Sequence, residues 1–244
     1  MKKLLLFTLF AVIVLQAGAQ NAYWKARPGS FENELLNKGE VPSQNLFNLD
    51  IVAFKKALLN APKRENFFGK SNIVVEFPSP DGAMQRYRVK EVQTMALELA
   101  AKYPGIKSYI GEDINSSGAT IRFSVSHLGV QAMRMAPGAN MTFIEPVSKD
   151  RKTYSVFSRN ERKASLSKFE CLVEDDLTQK VKNSNQARPN ADDATLRTFR
   201  LAVSTTGEYT AYFGGTKADA LAAINTTLTR VNGVFENDFA ITLV

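Results

Sequence analysis

Few side chains in this 244-residue chain could hold a metal or attack a bond. His127 is its one histidine and Cys171 its one cysteine. A catalytic zinc takes three protein ligands, commonly imidazoles, and one histidine cannot supply them. His127 stands in Ser124-Val125-Ser126-His127-Leu128-Gly129, at the edge of a predicted hairpin, and reads as a turn or surface residue with no chemistry of its own. Serine nucleophile chemistry would need that histidine beside a G-x-S-x-G turn, and none is near it. Gly214-Gly215 precedes a predicted helix but lacks the Gly-Lys-Ser/Thr ending of a phosphate loop. Glu208, Glu236 and Asp238 are candidate calcium or acid/base carboxylates, set against the commoner case of solvated carboxylates at turns and helix ends. Glu174-Asp175-Asp176 and Asp192-Asp193 lack the ligand spacing of a calcium loop and read as solvated linker. A lone thiol closes no intrachain disulfide; Cys171 reads as a small buried residue within Phe169-Glu170-Cys171-Leu172-Val173.

The elements that would position these groups fall into three regions behind a leader. Lys2 and Lys3 followed by the apolar run Leu4 to Leu15 and by Ala17-Gly18-Ala19 form the pattern of a signal peptide, residues 1–19, with the mature chain starting at Gln20. The run is about a dozen residues, short of the ~20 that span a bilayer, so no stable membrane anchor is expected. The net charge of +7 loses the two leader lysines. The remainder reads as a solvated basic surface, because no Lys/Arg run interleaved with aromatics marks a nucleic-acid groove.

Residues 20–158 carry a small α+β pattern. Asp50 can cap a helix with Ile51, Phe54, Leu58 and Leu59 on one side. Strands over 73–77 and 85–91 flank Pro78-Ser79-Pro80-Asp81-Gly82 as a hairpin. A helix around Met95, Leu97 and Leu99 ends before Pro104-Gly105. Short strands over 106–110, 119–126, 129–135, 141–145 and 153–158 have the spacing of an antiparallel sheet. Residues 159–197 are polar and charged, an exposed linker suited to proteolytic processing. From Thr198 a strand (198–204), a helix capped by Thr216 with Asp219 in its first turn, and a strand (239–244) follow. Leu221, Ile224, Leu228, Val231 and Phe235 form one apolar stripe on that helix. Forty-seven residues seldom bury enough surface alone, so this segment reads as the first part of a truncated domain. It is expected to stay loosely packed beside an independently folded first domain.

Segment 198–244 resembles the opening of the catalytic domain in bacterial reprolysin-like (adamalysin-type) zinc metallopeptidases of the metzincin clan, common among secreted enzymes of the Bacteroidetes. The resemblance rests on Phe199-Arg200-Leu201-Ala202, Thr205-Thr206-Gly207-Glu208-Tyr209-Thr210, Ile224-Asn225-Thr226-Thr227 and the run Arg230 to Asp238. Residues 72–158 resemble the propeptide of those proteins through the run Tyr103 to Gly111 and Phe143-Ile144-Glu145-Pro146. What the resemblance implies is a secreted zymogen: an α+β propeptide domain that inhibits and assists folding, then the first strand–helix–strand of an incomplete α/β metzincin-like domain. The full-length enzyme would bind zinc through H-E-x-x-H-x-x-G-x-x-H and hydrolyse polypeptides, its Glu serving as general base. None of those ligands is in this chain, which would bind no zinc and be inactive alone. The propeptide's partner would be its own catalytic domain. In several metzincin zymogens a propeptide thiolate occupies a zinc position, which makes Cys171 the inhibitory cysteine-switch candidate, although its surroundings do not match the better-known switch motifs. The rival reading is a non-catalytic secreted binding or inhibitor module, and a third is a cell-surface structural protein. N-terminal sequencing of the exported protein should return Gln20 as the first residue.

Overall fold

The structure is a computed structural model that describes residues 23–29, 41–42, 45–115, 118–161 and 195–244. The leader, the carboxylates at 174–176 and 192–193, and Cys171 lie outside the described residues.

Alternating apolar and polar residues between turn-forming clusters give an antiparallel meander: β3 (Val74–Pro78), β4 (Met84–Val92), β5 (Lys107–Asp113), β6 (Thr120–Ser126), β7 (Gly129–Met135), β8 (Thr142–Pro146) and β9 (Thr153–Ser158). Two N-terminal strands that periodicity does not reveal, β1 (Trp24–Ala26) and β2 (Leu46–Leu49), extend the far edge. The nine strands lie in the order β1-β2-β9-β8-β7-β6-β5-β4-β3. The sheet curls into a near-barrel that brings β1 back beside β3. Side chains close that seam: Trp24 Nε1 donates to the Glu76 carbonyl at 2.8 Å, and the Glu76 amide donates to Tyr23 Oη at 2.6 Å.

The barrel interior is aromatic. Helix α1 (Ile51–Leu58) starts where Asp50 accepts hydrogen bonds from the Val52 and Ala53 amides. It drives Phe54 into edge contacts with Tyr23, Trp24, Phe77 and Phe123. The buried residues of this core all lie between Tyr23 and Val156. Burial raises the Tyr23 and Tyr154 hydroxyl pKa values to about 12. A short helix, α2 (Leu97–Lys102), ends before Pro104 as the sequence predicts.

The C-terminal segment contains β10 (Arg197–Phe199), α3 (Gly207–Phe213), α4 (Lys217–Phe239) and β11 (Ile241–Leu243), with β10 and β11 paired in parallel. The expected strand over 198–204 is laddered only to Phe199, and Leu201 adds one further bond to Val244. Helix α3 was not foreseen. Thr206 caps it and Gly214, at φ +135°, ends it.

Close packing at the barrel wall makes Gly111 a sensitive position. A Cβ there would lie 2.8 Å from Ile121 Cγ2 and 2.9 Å from Tyr87 Cβ. Gly111→Ala should therefore destabilise the sheet domain by about 1–3 kcal/mol through overpacking, measured by chemical denaturation followed at Trp24.

Candidate functional site: a polar helix-docking face

Helix α4 lies across the outer face of β5, β6 and β7. Its start follows the sequence prediction: Thr216 and Asp219 form a reciprocal capping box. Of its apolar stripe only Leu221 packs against a buried cluster on the sheet side. Leu221, Ile224, Leu228, Val231 and Phe235 remain half-buried, and Ile224 and Leu228 line an open groove with Val203, Thr206 and Tyr209. The buried residues are small or polar: Ala222, Ala223, Asn225, Thr226, Thr229, Asn232 and Gly233. The expectation that residues after 198 stay loosely packed is thus corrected. Helix α4 is seated, and most of its seat is made by hydrogen bonds and charges that hydrophobic periodicity does not register.

Three layers build the seat. Near the helix N-terminus, Ala222 and Ala223 pack against Met95, Ile106 and Leu128, a buried apolar cluster shared by sheet and helix. Beside it, His127 Nε2 lies 2.7 Å from Asp219 Oδ1. His127 does occupy the turn between β6 and β7, as expected, and there it joins a carboxylate of the second segment. Asp219 is held below the ordinary carboxylate range by the Thr216 hydroxyl first and His127 second.

The middle layer is a network of hydroxyls and one amide. Thr94 Oγ1 donates to Asn225 Oδ1 at 2.5 Å, and Asn225 Nδ2 donates to Ser108 Oγ at 3.0 Å. Ser108 Oγ lies 2.7 Å from Thr229 Oγ1, and Ser124 Oγ lies 2.7 Å from Thr226 Oγ1. Asn225 is completely buried. Buried polar groups are tolerated where they find partners, and each of these does.

The third layer is ionic. Arg122 on β6, 3% exposed, donates through Nη2 to Glu236 Oε2. Arg64 Nη1, from a 3-10 turn over Arg64–Asn66, reaches the same oxygen at 2.7 Å. Burial alone would push the Glu236 carboxyl up, but the two guanidinium groups, Arg122 foremost, hold it below its ordinary value. On β8, Glu145 Oε1 lies 2.9 Å from Arg230 Nη1, and that guanidinium stacks 5.3 Å from the Phe143 ring centre. Gly233 permits the close approach: a Cβ there would stand 3.0 Å from Arg122 Cγ and 3.1 Å from Met135 Cε.

The three carboxylates singled out in the sequence do not converge. Glu208 sits exposed in the first turn of α3 rather than at a strand end, ionised below its ordinary value by its own backbone amide and the Thr206 hydroxyl. Asp238 is exposed near the end of α4, on a surface hollow with Met135 and Pro137. Only Glu236 has a built environment, and its partners are cations of the sheet domain. Arg64, Arg122, Arg230, Glu145, Thr94, Ser108 and Ser124 were missed by sequence reasoning. Their one available signal was an Arg on an otherwise apolar-and-serine strand, Ile121-Arg122-Phe123-Ser124.

Among the described residues no three His, Cys, Asp or Glu side chains gather to hold a metal ion. The donors present do not fit a catalytic zinc. Among the described residues no helix is long and apolar enough to cross a membrane.

Residues 195–244 match the family described as Metallo-peptidase family M12B Reprolysin-like. The match spans β10 to β11 and supports a reprolysin-like metallopeptidase; it covers a minor part of the chain. No curated protein and no solved structure matches the chain.

Two outcomes follow from the seat. Gly233→Leu should lift α4 from β6 and expose the amides of residues 225–233 to hydrogen exchange by roughly a hundredfold or more, with the sheet core unchanged. Because the folded-state pKa of Glu236 is depressed, its stabilisation is fully present above the ordinary glutamate range. It fades as pH falls through the lowered value. Helix protection followed from about pH 6 to about pH 3 should therefore collapse at the acid end, and Glu236→Gln should flatten that dependence.

Proposed function

We propose that this chain is the N-terminal portion of a secreted zinc-dependent metalloendopeptidase precursor. Residues 1–19 are the export signal, 20–158 the prosegment, and 159–197 a processing linker. Residues 198–244 form the opening of the peptidase domain. The observation that carries this reading is the family match over 195–244, the segment that holds α4 against the sheet domain. The prosegment's role is to assist folding and restrain the peptidase domain by holding its first long helix. Peptide-bond hydrolysis belongs to the full-length protein, whose zinc ligands would come from sequence outside this chain. The half-buried apolar stripe on α4 supports the same reading, since it is the face a further sheet of that domain would cover. Cys171 remains the cysteine-switch candidate. Polypeptides are the substrate class, and the released enzyme would act outside the cell or at its surface.

The test is the full-length open reading frame. Continued past Val244, it should encode H-E-x-x-H within about a hundred codons. The purified product should carry about one zinc per chain and cleave casein in a chelator-sensitive way. A stop codon directly after Val244 would sink this reading in favour of the binding or inhibitor module.

A further inference from the structure

We propose that the outer face of β5, β6, β7 and β8, with the Arg64 turn, is a separable receptor for helix α4. Once the chain is cut between Glu161 and Thr195, the two parts stay joined through this face, and Arg64 and Arg122 read the Glu236 carboxylate as the fixing contact. The proposal deepens the prosegment reading and rests on it for the identity of the two parts.

Four observations carry it. The sheet domain has its own aromatic core, to which α4 contributes nothing, so it does not need the helix in order to be packed. The contact itself is mainly polar: Thr94, Ser108 and Ser124 meet Asn225, Thr226 and Thr229. Specific polar contacts fall at three points along the helix, a hydrogen bond from His127 to Asp219 and ion pairs at Arg230 and Glu236. That pattern fits one direction and one register of a helix spanning roughly 26 Å between the outer two. Finally, the surface uncovered on separation suits water. The helix would expose alanines, hydroxyls, an amide and charges, with Leu221 alone of its apolar stripe, and the sheet side would uncover the small cluster of Met95, Ile106 and Leu128. An interface that must stay closed for the life of a domain is ordinarily apolar; this one is built of groups that are stable on either side of the event. The partner it fits is a helix carrying Asn, Thr at the fourth position after it, and Glu at the eleventh.

The experiment uses the full chain with a site-specific protease sequence placed within residues 175–185, cut after purification and run on gel filtration. The cut native chain should co-elute as one species. Glu236→Gln leaves Arg122 buried without its counter-charge, and should weaken retention by about a hundredfold, so that the sheet domain elutes alone with its near-ultraviolet aromatic signal intact. Glu236→Gln with Arg122→Met removes both charges and should restore co-elution, because the cost lies in the unpaired cation. The proposal is overturned if the native halves part on cutting. It is equally overturned if Glu236→Gln stays joined as the native chain does, or if the double variant fails to regain retention. None of these readouts involves hydrolysis: a full-length protein lacking peptidase activity would defeat the functional reading and leave the docking result standing.

Discussion

A carboxylate taken out of water between two guanidinium groups is stable in one state only, ionised and paired. Glu236 is in that position, with Arg122 beneath it and Arg64 at its side. Removing two ions from solvent costs several kcal/mol each, and their mutual attraction offsets this only when the geometry is good and the remaining hydrogen-bonding positions are filled. The arrangement of the surrounding chain follows from that demand. Gly233 lets the helix come close enough, the 3-10 turn carries Arg64 into reach, and the alternation of β6 turns Arg122 outward while Ile121 and Phe123 face the core. Displacing Glu236 leaves Arg122 buried without its counter-charge. The ion triad contributes less to net stability than to specifying where α4 must lie.

Helix α4 divides its surface between two environments. The face toward the sheet carries Asn225, Thr226 and Thr229; the opposite flank carries Ile224, Leu228 and Val231. Asn232 serves its own segment: its side-chain amide donates to the Leu243 carbonyl at 2.8 Å and accepts from the Leu243 amide at 2.9 Å. It thus ties β11 to the helix as a strand neighbour would. The sheet-facing side is thus held chiefly by hydrogen bonds and ion pairs, while Ile224 and Leu228 on the other flank line an open groove.

Much of the first domain is legible in the chain. The Asp50 cap, the hairpin of β3 and β4, the end of α2 before Pro104 and the five strands from 107 to 158 all follow from capping, turn chemistry and period-two alternation. What eludes that reading has definite causes. Strands β1 and β2 are three and four residues long, too short to show a period, and they pair across large sequence separations. The Gly207–Phe213 helix lies between the strand read over 198–204 and the helix capped by Thr216, and is only seven residues long. The docking face is invisible because serine, threonine and arginine on alternate strand positions look the same whether they face water or matching polar groups. Hydropathy records how much a side chain avoids water, and these side chains do not avoid it.

The seam of the near-barrel has a consequence for folded chains that meet one another. A sheet edge offers free amides and carbonyls as a template for a strand from a neighbouring molecule. On β3 both backbone groups of Glu76 are already engaged by the Tyr23 hydroxyl and the Trp24 indole. Tyr23 and Trp24 therefore act as a stopper at the middle of that border, closing the rung at Glu76 to a strand from a second copy.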